Sequence, residues 1–303
     1  MAYLHENEEE FLNAVNLASE RFHILPDVAE KDYYVTMILL ELSKRFDYVV
    51  FKGGTSLSKC HKVINRFSED IDITIGERIT QGQMRKLKEA IKSIAEQLRL
   101  RIPNIDETHS RRSYNQYVLE YDPAVTGYDD TVQPSVLLET SYEEVSFPTV
   151  VLPVHSYIGE MMAEEAPEEL TNYHLDTFDM KVQSIERTLV DKVFAICDYY
   201  MTDRVKKHSR HIYDIYKLLP IVPQTMEFKK LVQEVRSIRA LNNNCPSAQP
   251  GVDIPQMLKI IIEDEVYHDD YEKITARILE ETIEYETAIE SVRTIAESGA
   301  FEE

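Results

Sequence analysis

KGGTSLSKCHKVINRFSEDIDI, residues 52–73, holds a glycine turn and a carboxylate pair within one short interval. Asp70 and Asp72 stand two residues apart at the head of the segment Ile71-Asp72-Ile73-Thr74-Ile75, Asp70 directly before it, and its alternation of apolar and polar residues predicts a half-buried strand. On a strand such residues point to the same face, about 6–7 Å apart along the backbone. Two converging carboxylates repel unless a cation lies between them, and hard oxygen donors suit Mg²⁺, or Mn²⁺ in its place. A third carboxylate on a neighbouring strand would complete a site for two metals, and Glu139, in VLLET, is the candidate. Ahead of the pair, Gly53-Gly54-Thr55 follows the β-forming run Tyr48-Val49-Val50-Phe51 and precedes a short helix expected over Ser56–Val63. Glycines let a backbone approach a ligand closely, N–H groups at a helix start attract phosphate, and Thr55 or Ser56 adds a hydroxyl. Lys52, Lys59 and Arg66 supply cations. The stretch is not a Walker A loop, because Ser58, not a glycine, stands immediately before Lys59.

Working outward, the apolar spacing predicts helices over Glu9–Ser19, Asp32–Phe46 (Val35, Ile38, Leu39 and Leu42 on its buried face) and Thr80–Arg99. Tyr114–Tyr121 and Val136–Tyr142 read as strands joined by a loop rich in Asp, Gly and Pro. The acidic run Glu160–Glu169 reads as a linker, and a domain boundary is placed there, between 165 and 166. Beyond it, Ser184–Tyr200 and Arg210–Leu219 read as helices, Asn242–Gly251 as a loop and Tyr271–Ala296 as one long helix.

Composition narrows the function classes. A chain of 303 residues, 43% hydrophobic and 29% charged, builds a packed core rather than remaining disordered. It has no apolar run long enough to span a bilayer and no secretory signal, so a soluble cytoplasmic chain with no membrane partner is expected. Three scattered cysteines, Cys60, Cys197 and Cys245, exclude a disulfide framework and a zinc finger. The net charge of −21 argues against nucleic acid, but the charge is unevenly placed. Residues 44–112 carry 15 Lys/Arg against 9 Asp/Glu, and 181–217 carry 8 against 5, whereas 113–180 hold 14 acidic residues and no Lys or Arg. Residues 263–303 hold 14 acidic and 3 basic residues. Basic blocks thus sit inside an acidic chain.

The pattern KGGTSLSK followed by RFSEDIDI resembles the AbiEii/AbiGii family of nucleotidyltransferase toxins, relatives of the DNA polymerase beta-type nucleotidyltransferases. Gly53, Gly54, Thr55, Arg66, Ser68, Asp70 and Asp72 fill the positions of its G-G-T turn and R-x-S-x-D-[IL]-D block. Downstream, SIERTLVDKVFAICDYY is similar to the family's E-x-x-x-x-x-K-x-x-A helix, giving Glu186, Lys192 and Ala195. RHIYDIYKL is similar to its R-[DH]-x-x-D-[IL] block, giving Arg210 and Asp214. The likeness spans roughly 48–220. It implies an α+β fold: a small mixed β-sheet lobe with helices over 1–165 carrying the metal and NTP-phosphate groups, and a mainly helical lobe over 166–303 contributing Lys192 and Asp214 to a cleft between them.

Catalytic roles are implied for Asp70, Asp72, Lys192 and Asp214. Metal binding is expected from Asp70, Asp72 and Glu139. NTP-phosphate binding is expected from Lys52, Gly53, Gly54, Thr55, Ser56, Arg66, Ser68 and Lys192. Ser68 would share the face of Asp70 if the strand is continuous, and Lys192 contacts phosphates by resemblance. The residues alone favour a helix-surface salt bridge for Lys192, with Asp191 or Glu186. Asp214, in the apolar stretch Ile212–Tyr216, needs a buried partner such as Arg210 or Lys192, and its role as catalyst or as orienter of Lys192 stays open.

His208 and His211 read as part of a basic rim with Arg204, Lys206, Lys207 and Arg210. By resemblance to the family's MenT-type members the acceptor is RNA, the 3′ end of tRNA, with the basic blocks 85–112 and 204–217 as its track. The resemblance also implies a role in toxin–antitoxin or phage-defence systems. The competing readings are nucleotidylation of a protein hydroxyl and a non-catalytic NTP-binding module. An antitoxin encoded nearby is implied as a partner, with the acidic residues Glu280, Glu281, Glu284 and Glu286 as a face to attract it.

Overall fold

The computed structural model describes residues 2–66, 68, 70–126 and 132–302. Phe67 and Glu69 of the RFSEDIDI stretch, and residues 127–131 of the expected Asp/Gly/Pro loop, lie outside the described residues. The chain divides into two compact units, Met1–Cys60 with Glu69–Val182, and His61–Ser68 with Gln183–Glu303. The expected α+β class holds. The division differs from a break at 165/166, because residues up to Val182 belong to the sheet of the first unit and a short excursion, His61–Ser68, belongs to the second.

The first unit opens with helices α1 (Glu8–Phe22) and α2 (Pro26–Arg45), followed by β1 (Val49–Lys52), α3 (Gly53–Lys59), β2 (Ile71–Ile75) and α4 (Gln81–Gln97). Strands β3 (Tyr114–Glu120), β4 (Ser135–Val145) and β5 (Thr149–Val154), helices α5 (Tyr157–Glu165) and α6 (Glu169–Asn172), and β6 (Phe178–Gln183) complete it. The six strands form one mixed sheet in the order β3-β4-β2-β1-β6-β5. β1 runs antiparallel to β2 and parallel to β6, while β2 runs parallel to β4, itself antiparallel to β3.

Helix α2 is buried on nearly every side, with Tyr33, Val35, Met37, Ile38, Leu39 and Leu42 in the core. The charged groups it buries are each answered. Glu30 accepts from the Ala124 and Val125 amides, and Lys31 donates to the Gln133 carbonyl at 3.1 Å. The sheet packs one face on this core. Along β3, Asn115, Tyr117 and Leu119 are buried while Tyr114 and Gln116 are exposed, which is the period-2 pattern of a one-sided sheet. Strand β2 departs from that pattern, since Thr74 is buried along with Ile71, Ile73 and Ile75 and only Asp72 keeps partial exposure.

The second unit is built on α7 (Ile185–Met201), α8 (Arg210–Leu218), α9 (Met226–Arg239), α10 (Ile254–Glu263), α11 (His268–Lys273) and α12 (Tyr285–Glu297). Its core is the apolar stripe of α7, Leu189, Val193 and Ile196, against Ile212 and Ile215 of α8, with Leu258, Ile289, Val292 and Ile295 from the later helices.

Two further sequence expectations are corrected. The acidic run after residue 160 is not a linker. Residues 157–165 form α5, whose Ile158 and Met161 are buried and whose N-cap Ser156 accepts from the Gly159 amide. The long helix expected over Tyr271–Ala296 is interrupted between Lys273 and Tyr285. There Leu279 forms an antiparallel bridge with Arg66, and the Glu280 amide donates to the Asn65 carbonyl at 3.0 Å. Backbone groups spent on a bridge are lost to the i→i−4 ladder, and apolar periodicity does not reveal that.

Helix α4 begins with a full capping box. Thr80 accepts from the Gln83 amide, and the Gln83 side chain accepts from the Thr80 amide. Replacing the cap, Thr80→Ala, is expected to cost about 1 kcal/mol. Urea denaturation followed by helical ellipticity checks this, as a lower midpoint at unchanged slope.

Candidate active site

A register row crosses the first unit's sheet. Lys52 on β1 lies opposite Asp72 on β2, Asp72 opposite Glu139 on β4, and Glu139 opposite Gln116 on β3. Residues in register share a face, so Lys52, Asp72, Glu139 and Gln116 point the same way across four neighbouring strands. The face is the half-exposed one. Gln116 donates from Nε2 to Glu139 Oε1 at 3.0 Å.

The glycine turn is shaped by Asp72. Gly53 has φ +78°, and a Cβ added there would fall 1.8 Å from Asp72 Oδ2. A side chain at this position would both strain the backbone and collide with the carboxylate, so glycine is the residue that lets Asp72 lie against the turn. Gly54 follows within the first turn of α3. The neighbouring groups are differently used than expected. Thr55 and Ser56 are buried, and Ser56 Oγ donates to the Gly53 carbonyl at 2.9 Å, fastening the turn rather than presenting a hydroxyl. Lys59 is ion-paired with Asp32, whose other oxygen accepts from the Tyr157 amide. Lys52 is the cation that stays on the open face.

The donor set can be tested against the expected metal. Among the described residues, no group of three or more His, Cys, Asp or Glu is gathered closely enough to hold one. The trio Asp70, Asp72 and Glu139 is therefore not assembled as a ready cage, and Glu139 is engaged by Gln116. Asp70 lies just ahead of β2 rather than on it, so strand alternation does not set it on the face of Asp72; the two half-buried residues remain a two-carboxylate donor set. That set fits Mg²⁺, which binds through one or two carboxylates and completes its octahedron with water and substrate phosphates.

The second unit holds a different cluster. Asp214 on α8 is fully buried, and its carboxylate is shared by two cations. Arg66 clasps it through a fork, Nε to Oδ1 at 2.7 Å and Nη2 to Oδ2 at 2.9 Å. Lys192 on α7 reaches Oδ2 at 2.7 Å. Burial by itself would raise the Asp214 carboxyl, but Arg66 and then Lys192 overcome it and hold the group well below the usual carboxylate range. For Lys192 burial is the largest influence and lowers its ammonium below the ordinary lysine value, with Asp214 opposing and Arg66 reinforcing the shift. The arrangement is tied down from both sides. The Tyr213 hydroxyl accepts from the Asn65 amide at 3.1 Å and donates to Glu281 at 2.9 Å, and Lys217 pairs with the same Glu281 oxygen at 2.8 Å.

These contacts decide several points left open above. Asp214 has the partner it needed, and one is Lys192. The other is Arg66, not Arg210, so the guanidinium expected among phosphates is buried on a carboxylate. Asp191 does not take Lys192, because Arg187, Arg239 and Gln183 occupy it. Ser68 precedes β2 rather than extending it, so a continuous strand does not place it beside Asp70. His208 and His211 are not a basic rim: they stack with Tyr199, ring planes within 8°, and burial pushes His208 down to about 4 and His211 well below its usual value. Glu281, counted among the acidic face, is a structural ion-pair partner.

A family model described as "Nucleotidyl transferase AbiEii toxin, Type IV TA system" matches residues 38–297, an interval that contains every residue of both clusters. Among solved structures, one match is MenT4, a nucleotidyltransferase toxin from Mycobacterium tuberculosis H37Rv. It is 15% identical, with a TM-score of 0.48, over 94% of this chain and 88% of that one. No curated protein matches.

Two outcomes are expected of the buried cluster. Arg66→Met leaves Asp214 with one cation in place of two and should cost about 3–5 kcal/mol, the usual effect of breaking a buried pair, read as a lower denaturation midpoint. The pH dependence follows from the depressed Asp214 value. Its folded-state value lies below the unfolded one near about 3.9, so its stabilisation is full above that pH and is lost as pH falls through the folded value. Asp214→Asn should thus be less stable than the native chain at pH 7, with the gap closing as the pH is taken below about 4 in a series of thermal melts.

Proposed function

We propose, given that this chain belongs to the AbiEii nucleotidyltransferase toxin family, that it transfers a nucleoside monophosphate from an NTP to an RNA acceptor, the 3′ end of a tRNA, and so blocks translation. The chain is a nucleotidyltransferase. What carries the finer reading is the seating of the Asp72 carboxylate against the Gly53 backbone, with Lys52 directly across on the next strand. One register row thus gathers a backbone turn that a phosphate can approach, a cation for its charge and an anion for a divalent ion.

In the reaction an acceptor hydroxyl oxygen bonds to the α-phosphorus of the NTP and gives up its proton to solvent, the bond from that phosphorus to the β-bridging oxygen breaks, and pyrophosphate leaves. Asp70 and Asp72 would hold Mg²⁺, which when bound neutralises triphosphate charge and polarises the phosphoryl group. Gly53 and Gly54 bring backbone N–H groups to the phosphates, and Lys52 offsets their charge. Lys192 is assigned the same task, as the family's helix block implies. Asp214 and Arg66 act on it as positioning residues, since the shared carboxylate fixes where the ammonium sits and Arg66 fixes the carboxylate. The orienting role is the one assigned to Asp214, supported by its full burial and its pairing with two cations. As in its family, a cognate antitoxin is the expected protein partner. No described helix is long and apolar enough to cross a membrane.

Incubation with each α-³²P-labelled NTP and total cellular RNA tests the reading. Label is expected in an RNA band of tRNA size, in the presence of Mg²⁺ and not with EDTA. Label confined to the protein would replace RNA with a protein hydroxyl as acceptor, and label in neither would remove the transfer reading. Asp72→Ala should abolish transfer with little change in melting temperature, because the side chain is only half-buried at a sheet face. Lys192→Ala should lower it by about a hundredfold, the size of losing one preorganised charge contact. Lys192→Arg should not restore it, because a planar fork does not replace a point charge on Asp214.

A further inference from the structure

The row that carries Asp72 does not end at the carboxylates. It continues through Glu139 to Gln116 on β3, and two residues along the same strand, on the same face, stands Tyr114. Tyr114 is 47% exposed, a large aromatic left on the surface of an otherwise one-sided sheet. The loop before it carries His109, Arg111 and Arg112, all exposed. That loop is built, not slack. Asn115, buried beneath it, accepts from the His109 amide at 2.8 Å and donates to the His109 carbonyl at 3.1 Å, which folds 109–113 back against the start of β3. The outer edge of the strand is closed as well. Asn104 donates to the Gln116 carbonyl and accepts from the Val118 amide, so an added strand has no place there and a ligand would lie on the face.

We infer that Tyr114, Gln116 and the Arg111–Arg112 pair form the subsite for the terminal nucleotides of a single-stranded RNA acceptor. Tyr114 offers a ring for a base to stack on, Gln116, whose Nε2 is engaged by Glu139, offers its amide oxygen to a base edge, and the two arginines meet the backbone phosphates. Charge selects the occupant. Arg111 and Arg112 are exposed beside Tyr114, and the Glu143 carboxylate on the next strand is taken up by the Ser113 hydroxyl, so a polyanion is drawn to the arginines and its terminal hydroxyl is delivered toward Asp72. Strands stand about 4.8 Å apart, which puts β3 about 10 Å from β2, a span that a terminal nucleotide bridges. The assignment rests on the RNA-acceptor reading for its function, but the binding surface can be tested without it.

The experiment uses the full-length chain and a short 5′-fluorescein single-stranded RNA, followed by anisotropy with Mg²⁺ and no NTP, alongside steady-state transfer to total tRNA. Tyr114→Ala is expected to weaken RNA binding by about tenfold or more and to raise the acceptor KM alike, with the NTP KM unchanged within about twofold. Tyr114→Phe, which keeps the ring, should behave as the native chain. Replacing Arg111 and Arg112 together by Gln should weaken binding and flatten its dependence on salt. An unshifted melting temperature separates these effects from misfolding. Native binding and acceptor KM retained in Tyr114→Ala would overturn the subsite, as would a native chain that does not bind the RNA. Transfer of label to protein alone, with RNA binding still lost in Tyr114→Ala, would remove the acceptor assignment under Proposed function and leave the surface standing.

Discussion

A fully buried carboxylate is tolerable only when its charge is met on every side, and Asp214 is met by two cations drawn from distant parts of the chain. Arg66 comes from 148 residues upstream and Lys192 from the preceding helix. The fork from Arg66 is the demanding part, because both of its bonds require the segment before it to lie in one place. The surroundings comply. Asn65 is held by the Tyr213 hydroxyl and by the Glu280 amide, and Arg66 bridges Leu279. A stretch of chain that would otherwise be a loop is thereby made part of the second unit, and the later sequence gives up a continuous helix to hold it.

In the first unit the governing constraint is steric. Asp72 lies where only a residue without Cβ leaves room, and Gly53 adopts the left-handed backbone that L side chains avoid. The sheet then does the positioning. Four neighbouring strands bring Lys52, Asp72, Glu139 and Gln116 into a single row. Rigid strands set such spacing more closely than loops do.

Charge tells a more mixed story. The net of −21 is real, yet the basic block at 44–112 is not one open track. Lys59 pairs with Asp32, Lys88 donates to the Thr108 carbonyl, Arg99 faces Glu6, and Arg101 faces Glu120 and Asp122. The block at 204–217 is likewise thinned, since its histidines are stacked and held uncharged and Lys217 serves Glu281. What composition presents as a basic segment is, once folded, a set of separate exposed cations, with Arg85, Lys86, Arg111 and Arg112 among them, interrupted by cations that are paired.

The amino-acid sequence by itself determined whatever depends on neighbours along the chain. The strand that carries Asp72, the glycine turn, the helices of the strongest apolar periodicity and the α+β class all follow from period, turn chemistry and residue type. It also required that Asp214 find a cation, since an unpaired buried carboxylate is too costly, and Lys192 was one of two candidates in view. Strand β6 was legible in principle, because Phe178, Met180 and Val182 alternate with polar residues. Its place beside β1, which carries the first unit past residue 165, was not. Tertiary structure alone decided that Arg66 pairs with Asp214, that Glu139 faces Gln116, that Ser56 and Lys59 are spent internally, and that the helix after Tyr271 breaks. Apart from the Ser56–Gly53 bond, each of those outcomes is a pairing between groups far apart in sequence. Local pattern fixes which groups need partners, but the partner is whichever group the packed chain brings within hydrogen-bond distance.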